Sequence, residues 1–221
     1  MAQKKVNAVI HSQEKLAEGI YSMWLDAPEM AKAAVPGQFI AVYTNDQSKL
    51  LPRPISICEA DKENGRLRIV YRIAGAGTKE FSAYKEGDTL DIMGPLGNGF
   101  PLKKKKAFLI GGGIGIPPML ELAKNLDCEK TAVIGYRDKE TFLADELRKY
   151  ADVVIATEDG SVGTKGNVID AIRAEKLTAD IIYACGPTPM LKALKTYAME
   201  NGIECYISLE EKMACGIGAC L

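Results

Sequence analysis

The chain has 221 residues, with 28 basic and 29 acidic side chains and a formal net charge of −1. This near-neutral balance argues against a nucleic-acid footprint and against an anionic membrane surface, and the length suffices for two modest domains. No apolar stretch reaches the roughly 20 residues that span a bilayer, and the N-terminus lacks the apolar core of a signal peptide. These bounds predict a cytoplasmic protein that binds neither nucleic acid nor membrane.

The first half of the chain, from Lys5 to about Gly94, reads as short strands separated by turns. Six β-rich segments follow one another: VNAVIH, IYSMWLDA, QFIAVYT, PISICEA, RLRIVYRI and TLDIMG. Their spacing predicts an antiparallel β-barrel. In the fifth segment, period-two alternation puts the apolar residues on one face and Arg68, Val70 and Arg72 on the other. We therefore expect the two arginines to face solvent or an anionic ligand.

Two segments of this half carry residues suited to an anionic ligand. In LLPRPISIC, two prolines fix an extended backbone around Arg53, and Ser56 follows three residues on. A fixed guanidinium and hydroxyl suit a ligand with a phosphate and a polar heteroaromatic ring; an edge strand with an incidental arginine is the alternative. Gly75-Ala76-Gly77-Thr78 predicts a phosphate-binding helix start with Thr78 as N-cap, or else a plain turn before a capped helix.

From Ala107 the pattern changes to apolar strands that alternate with helical stretches. The strands are AFLIGGG, TAVIGYR, DVVIATE, IIYACG and ECYIS, and we expect helices at 118–126, 140–150, 166–174 and 188–201. Strands that are apolar nearly throughout predict a parallel sheet covered on both faces. The predicted fold is thus an antiparallel β-barrel domain, residues 1–102, followed by a parallel-sheet α/β domain, residues 103–207, and a short segment, 208–221.

The stretch AFLIGGGIGIPPML, from Ala107 to Leu120, stands out in the second half. A strand that ends in glycines and leads into a helix presents backbone N–H groups to an anion, which predicts a phosphate site. The third glycine of a G-x-G-x-x-G fingerprint falls on Pro118, so the match to that motif is incomplete and an ordinary tight turn is the alternative. After the next strand, Arg137 suits a 2′-phosphate and Asp138 a ribose hydroxyl, which leaves NADPH and NADH both open.

The six cysteines form two groups. Cys215 and Cys220 have the C-x4-C spacing that opens a plant-type 2Fe-2S ligand set, and the glycines between them let the backbone wrap around the sulfurs. Such a cluster needs four ligands, so we expect the natural chain to continue past Leu221; loss of the cluster is the alternative. The other four lie in apolar or strand-like surroundings, where a buried thiol is expected: Cys58, Cys128, Cys185 and Cys205.

The order of these motifs resembles the ferredoxin-NADP reductase superfamily. The motifs occur in the order Arg53-Pro54-Ile55-Ser56, Gly77-Thr78, GPLGNGF, GGGIGIPPM and Cys185-Gly186-Pro187. Together with TEDGSVGTKGNVID at 157–170 and SLEEKMACGIGAC at the end, they make the chain similar to the electron-transfer subunits of the type B dihydroorotate dehydrogenases. The resemblance covers essentially the whole chain.

This resemblance implies cofactors for both domains. Arg53 and Arg72 can balance a pyrophosphate, and Ser56 can hydrogen-bond a flavin ring. The implied FAD contacts are Arg53, Pro54, Ile55, Ser56, Val70, Tyr71, Arg72, Gly77 and Thr78. The implied NAD(H) contacts, with NADH favoured, are Gly111, Gly112, Gly113, Gly115, Cys185, Gly186 and Pro187. Cys215 and Cys220 would be two of the four 2Fe-2S ligands.

The resemblance also implies a role in pyrimidine biosynthesis. Dihydroorotate would be oxidised to orotate on a separate FMN-containing catalytic subunit, in a heterotetramer, and electrons would cross the 2Fe-2S cluster and FAD to NAD+. The chain offers no candidate for a proton-abstracting dyad, so no catalytic residue is predicted and the cofactors supply the chemistry. Two alternatives are a related subunit that couples NAD(P)H to ferredoxin, sulfide or hydrogenase chemistry, and a cofactor-free scaffold module.

Overall fold

The computed structural model describes residues 4–46, 48–49 and 51–209. These residues form two compact units, one that ends at Gly99 and one that begins at Phe100; we call them the barrel unit and the sheet unit. The domain boundaries read from the sequence, at 102/103 and 207/208, stay predictions. Within the described ranges, no helix is both long enough and apolar enough to cross a membrane.

The barrel unit is built from six strands and two short helices. The helices are α1 (Pro28–Ala33) and α2 (Ala76–Phe81). The strands are β1 (Lys4–Ala17), β2 (Ile20–Asp26), β3 (Phe39–Val42), β4 (Arg53–Asp61), β5 (Arg66–Arg72) and β6 (Thr89–Leu96). They pair antiparallel in the closed order β1-β2-β5-β4-β3-β6, which confirms the predicted barrel. Closure leaves no unpaired sheet edge among the described strands of this unit.

Alternation along the strands fills the interior of the barrel. On β5, the side chains of Leu67, Ile69 and Tyr71 join the hydrophobic core. Ile57 of β4 pairs with Ile69 and lies in the same core. Each fully buried aliphatic side chain of this kind contributes about 1.5–3 kcal/mol to folding. Burial of these inward-pointing side chains therefore fixes the register between β4 and β5. The residues that alternate with them along each strand lie on the outer face of the barrel.

The sheet unit alternates strands and helices. Its strands are β7 (Ala107–Gly112), β8 (Lys130–Tyr136), β9 (Asp152–Thr157), β10 (Thr164–Lys165), β11 (Ile181–Cys185) and β12 (Glu204–Ser208). Its helices are α3 (Pro117–Asn125), α4 (Ala144–Leu147), α5 (Val168–Ala174) and α6 (Thr188–Asn201). The strands form a six-stranded parallel sheet in the order β10-β9-β8-β7-β11-β12, as predicted. The order reverses between β7 and β11, and such switch points are where open α/β sheets bind ligands.

Three elements differ from the sequence prediction. The helix predicted at 140–150 is only the single turn α4, because Leu143 before it has φ 64°, a left-handed conformation that cannot belong to the helix. Helix α1 and strand β10 were not predicted, since each is too short to show a periodic pattern. By contrast, α6 has the predicted bounds, Thr188–Asn201.

Candidate cofactor sites

The outer face of β4 and β5 presents part of the predicted flavin set. Ile55 and Ile57 both point into the core, so Ser56 between them points outward, as does the exposed Pro54. Val70 occupies the matching outward position on β5, but its side chain is covered and only 2% exposed. The side chains of Ile55 and Tyr71 are in the barrel core, so these two residues offer only backbone atoms to an outer ligand.

Arg53 and Gly77 are brought together although 24 positions separate them in the sequence. A methyl group added at Gly77 would lie 2.8 Å from Nη2 of Arg53 and closer still to Nε, so the guanidinium packs directly on this glycine. The guanidinium also donates a hydrogen bond to the carbonyl oxygen of Leu51. The first residue of β4 and the first turn of α2 therefore form one positively charged cradle, in which the observed position of the guanidinium requires glycine at position 77.

Thr78 has a different role from the predicted one. The N-cap of α2 is Gly75, and Thr78 lies three positions further on. Its Oγ1 accepts hydrogen bonds from the N–H groups of Ala74 at 2.8 Å and Gly75 at 3.2 Å, and donates to the Gly75 carbonyl oxygen. The prediction of Thr78 as N-cap was wrong; its hydroxyl closes the turn before the helix, as the third residue of a capping box does.

The two arginines of β5 have different environments. Arg72 is exposed, as expected for a residue facing solvent or an anion. Arg68 has a side chain only 5% exposed, and its Nε donates to the hydroxyl of Ser22 at 2.9 Å. The carboxylates of Glu59 and Glu14 lie 3.5 and 3.7 Å from its guanidinium. The expectation that Arg68 faces solvent or an anionic ligand was wrong, because neighbouring strands supply its counter-charges.

Gln13 braces α2, and nothing in the sequence signalled this role. Its side-chain N–H groups donate to the carbonyl oxygen of Phe81, the last residue of the helix, at 3.2 Å and to that of Tyr84, three residues beyond it, at 2.8 Å. Its Oε1 accepts from the hydroxyl of Tyr71 at 2.8 Å. One amide thus ties the C-terminal end of α2 to β5, and an isolated glutamine in a strand carries no pattern that would reveal it.

In the sheet unit, the glycine turn after β7 packs on the segment after β11. Gly111 pairs with Cys185 across the two strands. A methyl group added at Gly115 would fall on the carbonyl group of Cys185 and within 2.6 Å of the Gly186 nitrogen. Gly113, between them, has φ 53°, which favours glycine. The two segments predicted to face the nicotinamide nucleotide therefore meet at the switch point.

Further contacts hold these segments together. Gly186 has φ 156°, and a methyl group there would lie 3.1 Å from the Gly112 nitrogen. Met190 and Pro187 leave no room for a side chain at Gly112, since a Cβ atom there would lie 2.7 Å from the sulfur and 3.0 Å from Cδ respectively. Helices α3 and α6 both begin here, and helix starts favour anions. The arrangement suits a phosphate-bearing ligand that approaches backbone atoms closely.

The end of β8 carries the residues considered for cofactor choice. Arg137 and Asp138 are both exposed. The carboxylate of Asp138 accepts from the N–H of Glu140 at 2.9 Å, which holds it in the turn. The N–H of Glu158 donates to the Tyr136 carbonyl oxygen at 3.1 Å, so a further acid follows β9 at the same edge of the sheet. Asp138 and Glu158 suit a ribose hydroxyl and Arg137 suits a 2′-phosphate, so this edge carries groups for either cofactor.

The cysteines of the described region are those expected to be buried. Cys58 and Cys185 are buried, and Cys128 and Cys205 are partly so; burial raises the pKa of both partly buried thiols. Cys215 and Cys220 lie outside the described residues. Residues 4–46, 48–49 and 51–209 contain no group of three or more His, Cys, Asp or Glu placed to hold a metal ion.

Comparison with known proteins agrees with this geometry. The family model for the oxidoreductase FAD-binding domain matches residues 7–100. The electron transfer subunit of dihydroorotate dehydrogenase B (NAD(+)) from Geobacillus sp. (strain WCH70) is 43% identical over 229 residues, covering 100% of this chain and 88% of the relative. The subunit of the same name from Streptococcus mutans is 45% identical, covering 98% and 86%. The chain belongs to this family of electron transfer subunits.

Solved structures agree with the family and the fold. A structure of the NADH-dependent reduced ferredoxin-NADP oxidoreductase, a flavin-based electron-bifurcating enzyme, superimposes with a TM-score of 0.89 at 33% identity, covering 96% of this chain and 79% of that one. A ferredoxin NADP+ reductase from Neisseria gonorrhoeae with bound FAD and NADP has a TM-score of 0.76 at 17% identity, covering 93% and 99%. At that identity the second likeness shows the shared fold alone.

Proposed function

We propose that this protein is the electron-transfer subunit of a dihydroorotate dehydrogenase B and passes electrons from a partner catalytic subunit to NAD+ in pyrimidine biosynthesis. Its membership of the family supports an oxidoreductase subunit that uses FAD and NAD(H). The single observation that carries the proposal is the packing of Arg53 on Gly77. It unites two sequence-distant segments, both assigned to FAD, in one cradle.

FAD would be held by the outer face of β4 and β5 and by the start of α2. Arg53 and Arg72 supply positive charge for the pyrophosphate, and the Ser56 hydroxyl supplies a hydrogen bond for the flavin ring. Ile55 and Tyr71 have buried side chains, and the Thr78 hydroxyl closes a turn, so these residues contribute backbone groups. The full set is Arg53, Pro54, Ile55, Ser56, Val70, Tyr71, Arg72, Gly77 and Thr78.

NAD(H) would bind at the switch point of the sheet unit. The close approach of the two backbone segments and the two helix starts suits a pyrophosphate. The exposed acids beyond β8 and β9 suit the ribose hydroxyl of NADH, and the name of the relatives, which specifies NAD(+), supports NADH rather than NADPH. The residues assigned are Gly111, Gly112, Gly113, Gly115, Cys185, Gly186 and Pro187.

The cofactor supplies the redox chemistry, and the protein chain binds and orients the cofactor. Bound FAD supplies exchange of hydride with a nicotinamide and of single electrons with a one-electron carrier. The residues of this chain bind and orient it: the arginines neutralise phosphate charge, and the closed barrel gives Ser56 a fixed position. No side chain of the site needs to move a proton to a carbon atom, which is consistent with the lack of a predicted catalytic residue.

The proposal also includes a 2Fe-2S cluster and a catalytic partner subunit. Cys215 and Cys220 would supply two of the four ligands of a 2Fe-2S cluster, as their C-x4-C spacing supports. The partner would be an FMN-containing dihydroorotate dehydrogenase catalytic subunit, joined with this chain in a heterotetramer in the cytoplasm. Co-purification of such a partner, followed by flavin and iron analysis of the complex, tests these points; absence of FMN or iron from an active complex would contradict them.

A flavin-reduction experiment tests the core of the proposal. The purified chain is incubated with FAD, desalted, and examined for a visible flavin absorption band; NADH is then added without oxygen. We expect a retained band that bleaches with NADH and much less with NADPH. Lack of a retained band, or a band that NADH leaves unchanged, would contradict the proposal.

A second candidate function is a subunit that couples NAD(P)H to ferredoxin. The similarity to the NADH-dependent reduced ferredoxin-NADP oxidoreductase, at 33% identity, is the observation that favours it. The two functions differ in the electron donor. Orotate production with an FMN-containing partner supports the first, and ferredoxin-linked turnover without dihydroorotate supports the second.

A further inference from the structure

The carboxylate of Glu80 on α2 holds two described residues of the connection between β3 and β4, Asn45 and Lys49. Its Oε1 accepts hydrogen bonds from the backbone N–H of Asn45 at 2.7 Å and from the hydroxyl of Tyr84 at 2.6 Å. Its Oε2 accepts from Nζ of Lys49 at 2.8 Å. Two residues of the connection, Asn45 and Lys49, are therefore held by a single side chain of the helix.

The Glu80 contact is shielded and charge-assisted. The side chains of Glu80 and Lys49 are only 18% and 23% exposed. Partial burial raises the pKa of Glu80, but the hydrogen bonds from Lys49, Tyr84 and the connection outweigh it, so the pKa lies below its ordinary value. Lys49 also lies 3.1 Å from the carboxylate of Asp46, which keeps its ammonium group between two acids.

Lys49, which Glu80 holds, lies shortly before Arg53, the arginine of the proposed flavin site. Arg53 begins β4 four positions after Lys49, and its guanidinium donates to the carbonyl oxygen of Leu51 between them. The same guanidinium packs on Gly77 in the first turn of α2. The described contacts of Lys49 and Arg53 thus reach α2 at two places, Glu80 and Gly77. The guanidinium itself has two described contacts, with Gly77 and with the carbonyl oxygen of Leu51.

We propose that Glu80 is a positioning residue for the flavin site: by holding the β3–β4 connection on α2, it fixes the Arg53 guanidinium over Gly77, where the pyrophosphate of FAD would bind. This inference rests on the proposed function. Glu80 itself need not touch the cofactor, because both of its oxygens are occupied by protein donors. Its effect on affinity comes from raising the fraction of molecules in which Arg53 is already placed.

The first measurement compares FAD dissociation constants by quenching of flavin fluorescence. With the Glu80 contacts in place, most molecules have Arg53 positioned to bind FAD. If their loss leaves about a tenth of the molecules in that state, Glu80→Ala raises the Kd about tenfold. Glu80→Gln keeps an acceptor for Asn45 but loses the charge toward Lys49, and we expect about a threefold rise. Glu86→Ala, which removes an exposed carboxylate just after α2, is the matched control and leaves the Kd unchanged. Melting of the apo-protein checks that each variant folds.

The decisive measurement repeats the substitution in an Arg53→Ala background. If Glu80 acts through Arg53, adding Glu80→Ala to Arg53→Ala changes the Kd by less than about twofold, because the effects of coupled residues are not additive. A further tenfold loss would show a general structural effect and overturn the inference, as would wild-type affinity in both Glu80 variants. Failure of the unmodified chain to bind FAD would instead overturn the proposed function, and this inference with it.

Discussion

Replacing Gly77 by alanine separates the stability of the barrel unit from its capacity to bind FAD. The added methyl group would lie 2.8 Å from Nη2 of Arg53, whereas ordinary van der Waals contact begins near 3.4 Å. The methyl group would lie closer to Cζ, at 2.5 Å, and closer still to Nε, so the guanidinium must shift by about 0.9 Å or more, the difference between 2.5 and 3.4 Å. It lies at the end of a flexible side chain, so it can move away without unfolding the helix.

Gly77→Ala should change the stability of the apo-protein and its affinity for FAD in opposite directions. Glycine in a helix is less favourable than alanine by about 0.5–1 kcal/mol, so the apo-protein should be unchanged or slightly stabilised by Gly77→Ala. Binding groups need to be held within about 0.5 Å, and a hydrogen bond to a charged group is worth about 1.5–3 kcal/mol. Loss of one such bond corresponds to about a 10- to 100-fold rise in the Kd for FAD.

The assay is a fluorescence titration with FAD alongside urea denaturation of the apo-protein. The matched control is Gly75→Ala, two positions earlier, because its φ of 179° is open to any residue and a methyl group there meets no atom within 4 Å. We expect the control to bind FAD as the wild type does. If Gly77→Ala also binds with wild-type affinity, the position of the guanidinium does not matter for binding. If it unfolds the barrel unit, the assumed mobility of Arg53 is wrong.

Three further predictions concern the sheet unit. Gly115→Ala should destabilise it by about 1–3 kcal/mol in urea, because the methyl group would fall on the backbone carbonyl of Cys185, which cannot move aside; a wild-type midpoint would refute this. Tyr183→Phe removes a hydroxyl that donates to a backbone carbonyl at 2.7 Å and should cost about 1 kcal/mol in the same assay. Hydrogen bonds from Lys103 and its neighbours lower the pKa of Glu204 to about 2, from 4.5. The stability this carboxylate contributes is therefore complete above about pH 4.5 and lost as the pH falls toward 2, and Glu204→Gln should weaken the pH dependence of unfolding in that window; an unchanged slope would contradict it.

The sequence was sufficient to predict the architecture because buried strands and helices require apolar residues at regular spacings, and these spacings are visible in the sequence. Alternation along β5 correctly separated the core residues from the outward ones, and the apolar strands after Ala107 correctly indicated a parallel sheet. The long helix α6 was predicted to the residue. The short elements α1 and β10 were missed because they contain too few residues for a period to be seen.

The roles of individual polar side chains could not be predicted in the same way. Arg68 and Arg72 are alike in the sequence pattern, yet only Arg68 is buried, because the acids that compensate it come from β1 and β4. Thr78 was assigned to the wrong capping position, since a hydroxyl can close a turn from either of two places. Gln13 and Glu80 each bond partners far away in the sequence, Tyr84 at 71 positions from Gln13 and Lys49 at 31 positions from Glu80. Such long-range pairings are created by the fold and leave no local signature.

The two candidate sites are built by different means. Helix α2 has six residues, too few to be stable in isolation, and the side chains of Gln13, Glu80 and Thr78 fix it at both ends. The switch point of the sheet unit is formed mainly by glycines, of which Gly115 and Gly186 approach backbone atoms of the facing segment. A site braced by several side chains is suited to a cofactor that stays bound, whereas an open backbone surface suits a ligand that binds and leaves. We therefore assign the retained flavin to the first and the exchanging nicotinamide nucleotide to the second, and a Kd for NADH below that for FAD would contradict this division.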